Sequence, residues 1–569
     1  MTSSVASPPT LRGFFDELFL GRVRWDLLRP FPTQEPTDRA IGDQAVAAVT
    51  ALVRAHVDPE LLDRTGTLPA GLTDALQDGG FHKLLMGPEL GGLELSPFNA
   101  MRVVQAVASW SPAVAWSLAI GNGFGSGSYL PIVEDGPLRD LIERHVRAGI
   151  VSGSADTEAN GAANHRRHTT AVPVEDGRAY LVNGEKVFIG NGPLARLLDV
   201  ACTVEVDGVR QIRYFFVETD SPGFEVVTTQ EFLGLKGAPI GVLRFTDVRV
   251  PAENLLPAST DEARYAPEIA RLATLARTLV IASPSLAIAK LCLGWQRDFV
   301  TRRVMDDRPL GSYEEIRRRV AETAADVFLV ESVVRWGLLG QDRADTGPDL
   351  TAAKNLTSLA CWRAIDRTVG LLGGEGIETA RSKARRGAPA LPVERFVRDA
   401  RGLRVAGGVD FLLDYWSAEA GLEAYYAADT RAPFESTVDD LGLSPRCREH
   451  FRALVDEAAR LGAVCARLTS AHSQSDLMAR QRTVITLGAL ARELLGMAVV
   501  LARAGSPETA ALADIACSSA RVRLAGLWAQ LDAAEPEHPG VADELLHGTG
   551  FDFLTTDVIT DLPTVEDQP

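Results

Sequence analysis

Cysteine is scarce and scattered. The six thiols, Cys202, Cys292, Cys361, Cys447, Cys465 and Cys517, form no C-x-x-C pair. That excludes a disulfide framework and a zinc knuckle, and it makes a reducing, cytoplasmic compartment the expectation. Nowhere do eighteen uncharged apolar residues run together, so no membrane-spanning helix is expected. Positive charge is in deficit: 58 Lys and Arg against 75 Asp and Glu leave a formal charge of −17, the wrong sign for a nucleic-acid partner. His165-Arg-Arg-His168 reads as a surface strand, and no metal cluster is expected. The opening MTSSVASPPT has no basic segment followed by an apolar core, so no secretory signal is expected. Ser152-Gly-Ser lacks the strand–turn–helix setting of a nucleophile elbow. Gly373-Gly-Glu-Gly follows a helical pattern, not a strand, so it is no dinucleotide fingerprint.

What is present is a chain of 569 residues, 46% of them apolar, enough for three or four domains at ~150 residues each. Short apolar or alternating runs such as Tyr180-Leu-Val-Asn-Gly, Val187-Phe-Ile-Gly-Asn-Gly and Arg213-Tyr-Phe-Phe-Val-Glu, punctuated by Gly, Asn, Asp and Pro, predict strands joined by tight turns over 151–257. Helical spacing dominates on both sides. The expected fold is mostly α with a central β domain. Its parts are an N-terminal arm (1–40), a helical domain (41–150), the middle β domain, a helical bundle (258–424) and a helical extension (425–569).

Helices are predicted near 43–57, 69–79, 97–110, 112–121 and 135–147. Pro30, Pro32 and Pro36 are expected to end the arm, and Gly121-Asn-Gly-Phe-Gly-Ser-Gly reads as a turn or loop. A long helical pattern from Glu262 to Val304 carries Pro284 as a kink or register break. Residues 381–390, with Arg381, Lys383, Arg385 and Arg386, read as an exposed cationic loop. It either attracts an anionic partner or is merely solvated. Residues 484–500 predict a buried or amphipathic helix, and the last twenty residues a frayed acidic tail.

Several motifs in order resemble the acyl-CoA dehydrogenase family. Thr157-Glu158 with small residues following is similar to T-E-P-x-A-G-S-D. Asn183-Gly-x-Lys186-x-Phe188-Ile-x-Asn191 is similar to N-G-x-K-x-W-I-T-N. Gly234-Leu-Lys-Gly and Phe245-Thr-Asp-Val-Arg-Val-Pro-Ala-Glu-Asn continue the likeness, and Leu391-Pro-Val-Glu-Arg-Phe-Val-Arg-Asp-Ala resembles Y-P-V-E-R-x-x-R-D-A. The arm and the extension resemble the very-long-chain branch. There the extension replaces a second dimer and also touches membranes; here either pure packing or peripheral membrane contact is open. The resemblance implies an N-terminal helical domain, a middle β domain and a four-helix bundle. It also implies FAD as cofactor and an acyl thioester, on coenzyme A or a carrier protein, as ligand, in a homodimer or a dimer with a related subunit.

Carried over residue by residue, the resemblance places Ser154, Asp156 and Thr157 beside the flavin ring. Phe188 stands for the usual Trp, and Gly190 for a hydrogen-bonding Thr. Arg302 would hold pyrophosphate. Gly373 and Gly374, with Gly370 replacing a Gln, would reach a neighbouring subunit's FAD. Ala163 stands where a Ser contacts coenzyme A.

Dehydrogenation needs a base for the α-proton. The family's Glu lies nine residues after the Arg of R-D-A, which is Gly407 here. In a minority of relatives it precedes an Arg resembling Arg277, which makes the position Ala276. Asp410, about one helical turn beyond, is the remaining candidate base, against a plain helix-start carboxylate. Three readings follow: a dehydrogenase-like flavoprotein with its usual Glu replaced, a non-catalytic partner subunit, or a flavin-dependent oxygenase on the same fold.

Overall fold

The computed structural model describes residues 12–161, 167–206, 208–257, 267–427, 442–533, 536–548 and 550–559. Ala163, the first two residues of the His165–His168 motif and the last ten residues lie outside these. The chain opens on a short helix, α1 (Phe14–Phe19). It continues through α2 (Pro36–His56), α3 (Pro97–Trp110), α4 (Pro112–Gly123) and α5 (Pro137–Arg147). Pro36 starts a helix where a stop was expected, because the first helical position needs no backbone N–H. The helix it begins crosses the expected 40/41 division. Ser96 and Ser111 cap α3 and α4, each accepting a backbone N–H three residues on. α4 is almost wholly buried and runs to Gly123, so the glycine-rich stretch taken for a loop begins inside a helix.

Seven strands follow: β1 (Ser152–Ala155), β2 (Thr170–Val174), β3 (Ala179–Gly190), β4 (Leu197–Val206), β5 (Val209–Glu218), β6 (Phe224–Thr229) and β7 (Ile240–Pro251). They form one sheet in the order β1-β4-β2-β3-β7-β6, with β5 on β4. Alternate residues such as Val182, Leu198, Val200, Phe215, Phe245 and Val248 fill its core. The β3–β7 register slips between Lys186 and Ile189. This bulge turns Phe188 outward with φ +60 and leaves it 57% exposed.

The bundle comprises α6 (Pro267–Arg277), α7 (Ser283–Arg302), α8 (Glu314–Leu339), α9 (Gly347–Leu372), α10 (Val393–Leu403) and α11 (Asp410–Tyr426). The break expected at Pro284 takes the form of a π turn, Thr278–Ala282, between α6 and α7. The first half of the predicted cationic loop is a helix. Ala380–Arg385 is helical. Lys383 is fully buried, donating to the carbonyl oxygens of Glu375 (2.9 Å) and Leu391, and Arg386 pairs with Glu378 at 2.6 Å. Sequence could not show that carbonyls wait for the lysine. Arg381 and Arg385 remain exposed.

In the extension, α12 (Pro445–Ala471), α13 (Gln481–Arg503) and α14 (Pro507–Asp532) pack on α8 and α11. Two helices, Leu272–Arg302 and Gln481–Arg503, are apolar and long enough to cross a bilayer by composition. Their most apolar windows are 78% and 94% buried, so both act as core helices. Arg492 anchors α13 to the bundle through Asp414 at 3.1 Å.

The arm is wedged into this junction. Phe14, Phe15, Leu18 and Phe19 are buried, each burial contributing roughly 1.5–3 kcal/mol. Tyr425 donates to the Phe19 carbonyl at 2.8 Å, and the Trp25 ring meets Phe451 edge-on at 4.7 Å. Asp349 of α9 accepts the Phe15 N–H at 3.3 Å and Trp336 Nε1 at 2.7 Å. Burial pushes its carboxyl up to about 7, with Asp16 adding to the effect.

Candidate functional site

The β half of the site is the edge where β1 and β3 meet α4. Asn191, fully buried with φ +60, fixes the junction. Its side chain accepts Ser117 Oγ (2.7 Å) and donates to the carbonyls of Ser117 (2.9 Å) and Ser152 (3.3 Å). Below β1, the buried pair Lys186–Glu158 spans 2.9 Å. Despite burial, Lys186 and the N–H groups of His168 and Thr169 hold the Glu158 carboxylate down to about 2. This props the Asp156–Thr157 turn, since Lys186 also donates to the Asp156 carbonyl at 3.2 Å. Asp156 itself pairs with Arg167 at 2.9 Å. The Thr157 carbonyl accepts the Val187 N–H at 2.9 Å.

Asp199 and Trp116 escaped the sequence reading. Ser154 Oγ and the Tyr129 hydroxyl both donate to Asp199 Oδ2, at 2.6 and 3.1 Å, while Asp199 Oδ1 has no partner among the described residues. Burial pushes this carboxyl up to about 7 against those two hydrogen bonds. At Gly190, a β-carbon would stand 3.1 Å from Ile120 and 3.3 Å from Trp116 Nε1. The space that a threonine side chain needs is therefore taken by α4. The Trp116 indole N–H is enclosed and, among the described residues, without an acceptor. Its signal lay only in the coupling of a small residue on β3 to a large one on α4.

The helical half lies where α6 meets the turn between α10 and α11. Gly407 has φ +69, and its carbonyl accepts Arg277 Nε at 3.1 Å. Ala276 is fully buried, and a β-carbon at Gly123 would come within 2.7 Å of its Cα, so the two chains nearly touch. No room exists there for a longer side chain without displacing α4. Lys354, buried on α9, donates to the carbonyls of Gly408 and Arg404. Burial, with Arg277 and Arg404 nearby, pushes its ammonium down to about 8 against the pull of Asp410 and Asp414. Asp410 is the first residue of α11 and pairs with Arg404. Burial raises its carboxyl, but the Arg404 guanidinium wins and holds it below the ordinary value. A base so engaged is poorly placed to take a proton. The structure brings Gly407, Ala276 and Arg277 together, and α4 links them to Gly190.

Arg302 and the Gly370–Gly374 segment form a separate cluster. Arg302 pairs with Asp298 at 3.1 Å and Glu375 at 3.5 Å. Gly373 has φ +57, and open space surrounds both it and Gly374. The helix from Arg277 to Arg302 puts this cluster roughly 37 Å from the Gly407 turn at 1.5 Å per residue. One copy of the chain does not bring the two sets together.

The loop Gly234–Leu235 is clamped between the β domain and the bundle. Asp399 of α10 accepts the Leu235 N–H at 2.6 Å, and any side chain at Gly234 would strike the Arg398 carbonyl. That explains why a glycine and the acid of Arg398-Asp399-Ala400 stand where they do.

Two family descriptions match the chain: the acyl-CoA dehydrogenase middle domain over residues 153–248, and the acyl-CoA dehydrogenase C-terminal domain over 271–412. The probable acyl-CoA dehydrogenase FadE10 of Mycobacterium tuberculosis is 30% identical over 421 residues, which are 73% of this chain and 64% of that protein. The mitochondrial very long-chain specific acyl-CoA dehydrogenase of Macaca fascicularis is 23% identical over 72% of this chain and 62% of its own length. The chain thus spans a little under two thirds of these relatives. An acyl-CoA dehydrogenase from Bacillus anthracis, solved complexed with FAD, shares the fold at a TM-score of 0.73 and 16% identity over 94% of both chains, extension included. On its middle and C-terminal domains, the chain belongs to the acyl-CoA dehydrogenase family.

Proposed function

We propose that this protein is a flavoprotein that binds FAD at the β1–β3 edge and takes an acyl thioester, on coenzyme A or a carrier protein, beside α4 and the Gly407 turn. The residues present fit the cofactor. Trp116 offers an enclosed N–H with no acceptor next to Gly190, and the Phe188 ring stands out from a β-bulge where it can cover a flat ligand. FAD, when bound, supplies an acceptor for a hydride equivalent. Ser154 and Asp199 hold a shared proton at that edge, and Arg277 places a guanidinium at the turn that faces the thioester.

The single observation that carries the catalytic side of this reading is the Gly407 turn. Its carbonyl is held by Arg277, its neighbour's carbonyl by Lys354, and the nearby Asp410 by Arg404. We infer that the protein alone has little α,β-dehydrogenase activity on saturated acyl-CoA, since a positioned base typically contributes ~10²–10⁴-fold. Anaerobic mixing of the FAD-loaded protein with a saturated acyl-CoA tests this. Slow or absent bleaching of the flavin band is expected, whereas rapid bleaching would show that another base serves.

The same turn supports a second reading, a subunit that completes the site of an active relative. The gap of roughly 37 Å along the helix fits it too, because Arg302, Gly373 and Gly374 lie far from the Gly407 turn, with open space at the two glycines for a neighbour's cofactor. A dimer, with itself or with a related subunit, follows from this reading, and the extension covering α8 argues against a tetramer of the smaller family members' kind. Oxygen-dependent product without bleaching would point instead to an oxygenase. The six buried thiols, none in a disulfide, suit a reducing cytoplasmic compartment.

A further inference from the structure

A cleft of about 250 Å³ opens where α3 crosses α7 and α8, and it shares no lining residue with the Trp116–Gly190–Arg277 region. Its floor is apolar, built from Phe98, Met101 and Leu286. Its mouth carries Gln105, Lys290, Glu331 and Arg335.

Charge at this mouth is unbalanced. Glu331 is shared by Arg335 at 3.0 Å and by Arg503, from the end of α13, at 3.6 Å. Both guanidinium groups are held in place by rings, Arg335 over Phe98 at 5.1 Å and Arg503 over Phe328 at 4.8 Å. Among the described residues Lys290 makes no ion pair or hydrogen bond, and Gln105 makes no hydrogen bond. Arg102, also at the cleft, is paired with Asp43, so the other three cations face one carboxylate, an excess of two positive charges on a chain whose formal charge is −17. Partial burial, with Arg335, Arg503 and Arg102 close by, draws the Lys290 ammonium below its ordinary range in spite of Glu331. An added anion would relieve that repulsion.

We propose that this cleft binds a small organic carboxylate, its head on Lys290 and Gln105 and its short apolar body on Phe98, Met101 and Leu286. The charge excess calls for an anion, and the apolar floor calls for a body that inorganic phosphate lacks. The cleft is roomy enough for a molecule of several heavy atoms, well beyond a single water. The proposal does not depend on flavin binding, so a protein that retains no flavin tests it equally well.

The full-length protein is titrated calorimetrically with hexanoate, 1-hexanol and inorganic phosphate. Saturable hexanoate binding is expected, with hexanol and phosphate weaker by about tenfold or more. Lys290→Met should weaken hexanoate by a similar factor, and Lys290→Arg should restore most of it. Lys290 is exposed, so its variants are expected to fold normally, which a melting curve verifies. Crystals soaked in 6-bromohexanoate should place the bromine against Leu286. Equal binding to wild type and Lys290→Met, phosphate bound as tightly as hexanoate, or a bromine elsewhere would each overturn the proposal.

Discussion

Around β1 and β3 each buried cation finds an oppositely charged partner, whereas around the 404–410 turn two of the three cations end on the backbone and only Arg404 meets a carboxylate. In the β half, Lys186 meets Glu158, Arg167 meets Asp156 and Ser154 meets Asp199. In the helical half, Arg277 and Lys354 end on the carbonyls of Gly407 and Gly408. The first arrangement leaves a donor over, at Trp116. The second closes on itself, using cations to pin a turn of left-handed glycines. The lesson is that one fold can leave a polar group open at one edge while it ties a neighbouring turn down.

The largest expected effect comes from breaking the β half. Lys186→Met leaves Glu158 buried and uncompensated, so chemical denaturation should show a loss of roughly 3–5 kcal/mol. A loss below ~1 kcal/mol would mean that water reaches the pair. Next is the matching change in the helical half. Lys354→Met strands two carbonyls, each at roughly 1–3 kcal/mol if left buried. Hydrogen exchange at residues 404–410 should rise by at least tenfold, and unchanged exchange would show that the turn stands without the lysine.

A subtler probe separates the halves by function. Trp116→Phe keeps most of the volume and removes the N–H. FAD affinity should fall about fivefold, one neutral hydrogen bond's share at ~1 kcal/mol, with the melting temperature nearly unchanged. Equal affinity would remove Trp116 from the cofactor site. Gly407→Glu tests the turn directly. The new β-carbon meets only ordinary contacts, 3.6 Å from Arg277 Cγ, but the φ of +69 costs about 1–2 kcal/mol. If the slot and flavin are otherwise intact, bleaching by acyl-CoA should rise over wild type.

The smallest effect is a slope. Asp349 is pushed from 3.8 up to about 7, so the folded state keeps a proton that the unfolded chain has released. Its contribution is therefore greatest below the ordinary value and is lost as pH rises to about 7. Asp16 and Asp199, also near 7, act with the same sign. Glu158 acts oppositely, but only below its ordinary 4.5. The melting temperature should decline between pH 4.5 and 7, and Asp349→Asn should flatten that decline. An unchanged slope in the variant would assign it to other groups.

Much of this architecture was legible because local signals agreed with one another. Helical spacing marked α3 at both ends and α4 at its start, where a serine cap and a proline agree with it, and alternation with tight turns marked the sheet. The legible part of the site was the set of residues on one strand or one turn. What escaped depended on partners distant in sequence. Lys383 reads as a surface cation until the carbonyls of Glu375 and Leu391 are seen to surround it. Asp199 and Trp116 carry no local pattern, since their meaning comes from Ser154 and Gly190 respectively, and Asp399 stood in a motif without showing that it would hold Leu235. Pro36 was misread because a proline marks a helix start as readily as a stop, and only the following apolar spacing decides between them.

The wedged arm bears on how the chain is made. Residues 14–28 emerge from the ribosome long before α12 and α13, whose surfaces bury Phe14, Phe15, Leu18 and Phe19. At 5–20 residues per second the delay is roughly 20–90 s. Until α9 and α11 are made the cluster of phenylalanines has no native partner, and until α12 and α13 follow it is only partly covered. Translation that stops anywhere before about residue 500 would release a chain with this sticky segment incompletely covered. Chaperone capture during synthesis should therefore centre on the first thirty residues and end abruptly when α13 leaves the exit tunnel.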